Sequence, residues 1–373
     1  MKNYRYVFFA LLTALSLPLL AAEPRLIPKT APLETVEKER VEYDVLGVGT
    51  AMTDLIIQVS DEFLQKHEGL KGSSLVVPSD KIDEILRDSQ FAPIIKPGGS
   101  CPNTVKSIAQ LGLRTAYHLR DSTDEFGKNY VKNLTDNNVA VIKVDDNLLP
   151  SGRLVCLITP DKNRSFCSSP GAGDAFSPAD LLPKCFKEAK LVHLDGYSLR
   201  NEALVEETMK LAKEHGAMIS FDPGCYQLCR EYKGLILRLM EEYVDIMFAN
   251  EDEAKELFDL PSEQACAAMT QLVPVSVVLL GRKGCLVGTK EKIFALPVRD
   301  VPVVDTTGAG DLFASGFLYG FLQGHSMERC AYIGNYLGSS VIQHVGAEIP
   351  KEYWHDILEH LAKEPLIKEV VVF

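Results

Sequence analysis

From Leu191 onward, short apolar runs alternate with amphipathic stretches so regularly that few folds remain open. Leu191–Leu194 reads as a strand, Glu202–His215 as a helix, Met218–Phe221 as a strand and Gly234–Tyr243 as a helix. Asp245–Ala249 is the next strand, followed by helical patterns at Glu251–Phe258 and Glu263–Val273. Val275–Leu280 is an unbroken apolar run, as expected of a strand covered on both faces. This alternation predicts a mainly parallel sheet between two helical layers, a three-layer α/β/α domain.

The first half of the chain is patterned differently. Val45–Gly49 reads as a first buried strand ending in a turn, and Ser79 opens a helix to about Ser89. After Pro97-Gly98-Gly99 a helical pattern runs from Asn103 to Leu111 and closes at Gly112. Thr115–Leu119, Ala140–Val144 and Leu154–Thr159 read as strands. Short strands and turns dominate residues 41–170, which predicts a small β-appendage over one edge of the sheet, built from segments within about 55–78 and 92–169. The folded domain is expected over 41–373, preceded by a Pro- and charge-rich linker at 23–40.

Residues 1–22 carry Lys2 and Arg5, an apolar run from Val7 to Leu20, and Ala21-Ala22, the layout of a secretory leader. The run is short for a membrane span of ~20 residues. The nine cysteines have no regular spacing, so they form no disulfide framework, and they suit a reducing compartment. Cys225 and Cys229 lack the second pair a zinc site needs, whereas Cys101, after a Gly-Gly-Ser turn, is placed to be reactive. The net charge of −12 argues against nucleic acid as a partner.

The segment richest in chemistry is Val303-Val304-Asp305-Thr306-Thr307-Gly308-Ala309-Gly310-Asp311, read as a strand, a Gly-rich turn and a helix from near Ala309 to Leu322. Small residues at 308–310 let backbone N–H groups approach an oxyanion at a helix N-terminus. A carboxylate there, Asp311, would repel a phosphate, so its presence suggests proton transfer. The same Gly-Ala-Gly-Asp recurs at 171–174, but Pro178 follows within about a helical turn, so that copy reads as a loop. Gly47-Val48-Gly49-Thr50-Ala51-Met52 imitates a dinucleotide turn but puts Met52 where a small residue is needed. There is no G-x-x-x-x-G-K-[ST] loop.

Five ordered motifs over about residues 43–350 together resemble the ribokinase (PfkB) carbohydrate-kinase family. Asp305–Asp311 is similar to its second signature, and Pro97-Gly98-Gly99-Ser100-Cys101-Pro102-Asn103-Thr104 to its first. Between them lie Asp121–Gly127, similar to D-x-x-D-x-F-G, Asn250–Glu253, similar to N-x-x-E, and Gly281–Gly284, similar to a G-x-x-G turn. Within the family the likeness is nearest to adenosine kinases. Such enzymes typically read Gly-Asn-x-x-x-Asp after the first strand; here it is Gly49-Thr50-Ala51-Met52-Thr53-Asp54, so the base preference stays open.

The resemblance implies a ribokinase-like fold with a small β-lid and ATP-dependent phosphorylation of a primary, 5′-type hydroxyl, adenosine being the expected acceptor. A kinase for a free sugar or sugar phosphate of the ribose or fructose type is the nearest alternative. An exported nucleoside-binding protein without turnover is the other. The implied base is Asp311, with the amides of Gly308, Ala309 and Gly310 on the transferring phosphoryl group. Asp54, Gly98, Gly99 and Asn103 are implied to hold the sugar, with Arg164, Phe166 and Tyr197 from lid and pocket segments completing the substrate site. ATP is implied to meet Asn250, Gly281, Gly284, Thr306 and Asn335. Mg²⁺ is implied at Asn250 and Glu253 through water, and K⁺ or Na⁺ near Asp305 and the loop after His344. A monomer or homodimer working in the cytoplasm is expected, with a membrane as partner only if the leader is retained.

Overall fold

The layering can be read along the first strand, β1 (Tyr43–Val48): Leu46 and Val48 enter one buried apolar cluster and Val45 enters another. Successive side chains of a strand point to opposite faces, so helices must cover both. The computed structural model describes residues 42–67, 74–89, 91–161, 163–363 and 370–372, all within one compact unit, Thr35–Phe373. The leader at 1–22 and the linker at 23–40 lie outside the described residues. Among the described residues no helix is long and apolar enough to cross a membrane.

Two sheets form. The larger contains β1, β5 (Thr115–Ser122), β6 (Val139–Asp146), β9 (Ala189–Asp195), β10 (Met218–Asp222), β11 (Ile246–Asn250), β12 (Val275–Leu279), β13 (Cys285–Gly288), β14 (Ile293–Leu296) and β15 (Val371–Val372). Its order is β15-β14-β13-β12-β11-β10-β9-β1-β5-β6. From β12 to β6 every pairing is parallel, and β13 to β15 add an antiparallel edge. The helices Glu202–Glu214, Lys233–Glu242, Glu251–Phe258 and Ser262–Met269 cover one face; Ser100–Gln110, Ala309–Leu322 and Met327–Val341 cover the other. This is the three-layer architecture expected from the alternation, and it is the ribokinase-like fold that the resemblance implied.

The smaller sheet joins β2 (Met52–Gln58), β3 (Ser74–Val76), β4 (Ile94–Gly98), β7 (Arg153–Ile158) and β8 (Arg164–Ser169) in the order β3-β8-β7-β2-β4. Leu55, Ile57, Val155, Leu157 and Cys167 pack with Ile82 and Ile85 of the helix Ser79–Ser89. The alternate residues Asp54, Ile56, Cys156, Ile158, Arg164 and Phe166 therefore face the opposite way, into a cavity.

Met52 begins β2 and opens no helix, in line with the reading of Gly47–Met52 as only an imitation of a dinucleotide turn. Two local expectations are corrected. Val303-Val304 is not a strand; the amides of Val304 and Asp305 both bond the Ile342 carbonyl at 2.8 and 3.2 Å instead of a sheet neighbour. The copy at 171–174 is a short 3₁₀ turn, Gly171–Ala175, ending before Pro178 rather than an unstructured loop.

Candidate active site

The turn Asp305–Gly308 is fixed by its own first residue. Asp305 Oδ1 accepts from the Thr307 amide at 3.1 Å and its hydroxyl at 2.7 Å, while Oδ2 accepts from the Gly346 amide at 3.0 Å. Gly308 follows with φ +76°, and a Cβ there would sit 2.6 Å from that of Ala347. Both the left-handed backbone and the close approach therefore require glycine. The helix Ala309–Leu322 starts immediately after, leaving its first amides without intrahelical acceptors.

Asp311 in the first turn is held on both oxygens. Ser100 Oγ donates to Oδ1 at 2.7 Å and Asn103 Nδ2 to Oδ2 at 2.9 Å, both from the start of the helix Ser100–Gln110. Thr104 Oγ1 donates to the Asp311 carbonyl at 3.1 Å, so two helix N-termini meet over one carboxylate. Burial raises the Asp311 pKa to about 6, against the pull of those two donors and of the Lys106 ammonium. Such a group is ionised at neutral pH yet basic enough to take a proton. Asn103, expected on the sugar, is thus also a clamp on Asp311.

Asp54 lines the same cavity, of about 370 Å³, together with Asn103, Asp311, Gly308, Ala309 and Gly310. Burial raises its pKa to about 6 as well, with Lys106 opposing. Gly98 packs against it: a Cβ on Gly98 would stand 2.5 Å from Asp54 Oδ1. Gly99 is the N-cap of the following helix.

A second cavity, of about 440 Å³, is walled largely by apolar groups such as Val298 and Phe313 and includes Gly281, Gly284 and Asn335. It shares Leu279, Thr306, Ala309 and Gly310 with the first. One elongated ligand can therefore lie with an apolar ring in the second cavity and anionic groups at the helix N-terminus between the two, which fits a nucleoside triphosphate. Asn335 Nδ2 bonds the carbonyls of Leu296 and Pro297 at 3.2 and 3.3 Å, so its amide nitrogen shapes the cavity wall.

Asn250 and Glu253 form a reciprocal cap. Glu253 Oε2 accepts from the Asn250 amide and Oε1 from Asn250 Nδ2, each at 2.7 Å, and Asn250 Oδ1 accepts from the Glu253 amide at 2.9 Å. With both carboxylate oxygens so engaged, contact with a magnesium ion through water suits this pair better than direct ligation. Burial raises the Glu253 pKa to about 7. Asp222, at the end of β10, lines the same cavity, and burial followed by Glu253 and Asp311 as neighbours pushes its pKa up. Crowded carboxylates in one polar cavity are the hard-oxygen donors that a divalent cation favours.

The remaining expected residues separate. Arg164, which opens β8, is paired at 3.9 Å with Asp305, and Phe166 lines a third cavity of about 570 Å³ that continues from Asp54 under the smaller sheet. Tyr197 lines the cavity that holds Asp311, and Asp54 and Asn103 line both spaces, so the two aromatics stand in connected cavities. The thiol of Cys101 is fully buried and burial pushes its pKa well up; a reactive Cys101 is ruled out by that environment. Ser100, Asp195 and Asp222 had not been singled out. Asp195 accepts from the Cys101 amide at 2.9 Å and so positions the helix that carries Ser100 and Asn103. Asp222 lies where open α/β sheets place ligands, beyond the carboxyl ends of parallel strands.

The sequence that builds this site is matched by a known family. The profile described as pfkB family carbohydrate kinase matches residues 80–353, most of the chain. The chain belongs to the pfkB family of carbohydrate kinases. It is a phosphotransferase, and membership implies ATP and, usually, Mg²⁺. This kinase is 27% identical to adenosine kinase 2 of Arabidopsis thaliana over 346 residues, covering 83% of this chain and 97% of that protein. A solved adenosine kinase from Sinorhizobium meliloti is similar with a TM-score of 0.75 and 28% identity, over 82% of this chain and 96% of that one. A probable sugar kinase from Rhizobium etli is similar with a TM-score of 0.76 and 28% identity, over 85% and 99%.

Proposed function

We propose that this kinase transfers the γ-phosphoryl group of ATP to the primary hydroxyl of a nucleoside, adenosine foremost. The observation that carries the reading is Asp311, clamped by Ser100 and Asn103 at the N-terminus of the helix Ala309–Leu322, with Asp54 in the same cavity. In this account Asp54 accepts hydrogen bonds from ring hydroxyls and presents the primary hydroxyl to Asp311. Asp311 takes the hydroxyl proton as the new O–P bond forms, and the amides of Gly308, Ala309 and Gly310 receive the charge on the transferring group. Asn250, Glu253 and Asp222 would hold Mg²⁺, which when bound offsets the negative charge of the phosphates.

A neutral acceptor is favoured over a sugar phosphate by the cavity beyond Asp54. Ile56, Ile158 and Phe166 give it an apolar wall suited to a base. Its four cations are engaged: Lys96 with the Val345 carbonyl, Lys106 with Glu348, Arg164 with Asp305 and Lys351 with the Asp136 carbonyl. A substrate phosphate there would meet the carboxylates of Glu348 and Asp305 already set beside Lys106 and Arg164. The test is a panel of adenosine, inosine, ribose, fructose and fructose phosphates with ATP and Mg²⁺, compared by kcat/KM. Adenosine is expected first; a free sugar or sugar phosphate ahead of it by tenfold contradicts the reading.

We infer that this activity works in the cytoplasm, a reading supported by the expected requirement for ATP and by the unpaired cysteines. Fractionation that finds a mature N-terminus near Glu23 outside the cytoplasm would overturn that placement. K⁺ or Na⁺ at Asp305 and the loop after His344 belongs to the same proposal, and turnover compared in potassium, sodium and tetramethylammonium salts tests it.

A further inference from the structure

The helices Asp61–Lys66 and Ser79–Ser89 bring together three side chains that line none of the cavities described above. His67, which closes the first helix, is only 4% exposed, with its ring against Phe63. Its Nε2 lies 3.3 Å from Asp88 Oδ2 and its Nδ1 3.8 Å from Glu84 Oε1. Despite that proximity, Nε2 makes no hydrogen bond among the described residues. A buried ring nitrogen without a partner demands an explanation.

Glu84 and Asp88 are four apart on one face of the helix Ser79–Ser89, a spacing at which like charges repel. One ligand atom from each of His67, Glu84 and Asp88 lies within 4.8 Å of the others. Two donor atoms each about 2.0–2.1 Å from one zinc ion at a tetrahedral angle stand roughly 3.3–3.4 Å apart. The His67–Asp88 separation has that value. Lys66 at 2.8 Å from Asp88 and Lys81 at 2.7 Å from Glu84 currently neutralise the carboxylates. Both pairs are exposed enough to be of little energetic consequence and free to yield to a stronger cation.

We propose that His67, Glu84 and Asp88 form a binding site for a divalent transition-metal cation, zinc by the chemistry of one imidazole and two carboxylates. The ion would fasten the end of the helix Asp61–Lys66 to the helix Ser79–Ser89 and so stiffen the layer that backs the smaller sheet. It takes no part in phosphoryl transfer.

The test is calorimetric titration of the intact, chelator-treated chain with ZnCl₂ in excess MgCl₂, so that oxygen-ligand sites near Glu253 are already filled. One equivalent of zinc and a higher Tm are expected, with visible Co²⁺ absorption of tetrahedral intensity on substitution. In His67→Gln that equivalent and the Co²⁺ band should be lost, while turnover with ATP and Mg²⁺ stays within about twofold. Glu84→Gln combined with Asp88→Asn should lose it also, which keeps the test valid if His67→Gln folds poorly. Glu253→Gln should retain it. Absence of a zinc equivalent in the parent chain, or equal zinc binding in the folded His67→Gln or double variant, overturns the proposal.

Discussion

At Asp311 two opposing influences set the working range of the enzyme. Burial raises its pKa to about 6, and Asn103, Ser100 and Lys106 restrain the rise. A raised carboxylate pKa means the base is protonated below that value and ionised above it. The kcat/KM for acceptor is therefore expected to fall as pH drops through about 6, with Asp54 titrating in the same range. A pH–rate profile checks this, and an acid limb at the ordinary aspartate pKa would contradict it. Lys106 is 3% exposed, pairs with Glu348 and bonds Asn133 Oδ1 at 3.2 Å. Removing its charge in Lys106→Met should move the acid limb to higher pH, so activity drops further at pH 6 than at pH 8. Lys106→Arg should restore the profile. Equal losses at both pH values would indicate a purely structural role. Lys106 was not legible in the sequence: a lysine one turn after Asn103 looks like a solvated helix face until Glu348 and the helix Glu125–Asp136 cover it.

Among the elements, the helix Ala309–Leu322 was legible in both its limits, because the glycine before it and the apolar run within it are local signals. Gly316 permits close helix packing: a Cβ there would stand 2.7 Å from the Ile333 carbonyl on the helix Met327–Val341. Gly316→Val should cost about 1–3 kcal/mol by overpacking and lower the Tm, with acceptor KM little changed at low temperature. An unaltered Tm would mean the two helices separate easily. The smaller sheet belongs to the same scale. It turns Ile56, Cys156, Ile158 and Phe166 toward the distal cavity, so it is placed to exclude water from the reaction. Adenosine should slow hydrogen exchange in β3, β7 and β8, and unchanged exchange in all three would count against a closing lid. The helix Ser100–Gln110 starts three residues before the expected Asn103, and Pro102 is an early helical position, where a missing N–H costs nothing.

For the whole molecule, the alternation from Leu191 to Leu280 was enough to read the parallel sheet, since buried parallel strands are continuous apolar runs. The contiguous motifs at 98–103 and 305–311 were legible for the same local reason. What the sequence could not show was convergence: Asp195, Asp222 and Glu253 arrive from the ends of β9, β10 and β11, and only the strand order makes them neighbours. Nor could it show that Phe166 and Tyr197 line connected cavities that meet at Asp54 and Asn103. The two Gly-Ala-Gly-Asp copies put that lesson to use. Their residues are identical, but only the copy at 308–311 opens a long helix where the acceptor and nucleotide cavities meet. The copy at 171–174 is a single 3₁₀ turn whose Asp174 is exposed. The account stands or falls on turnover in the two single variants. Asp311→Asn should lower kcat by roughly 10²–10⁴-fold while acceptor still binds, and Asp174→Asn should change it by less than about tenfold. An active Asp311→Asn enzyme beside an inactive Asp174→Asn enzyme would place the catalytic centre elsewhere.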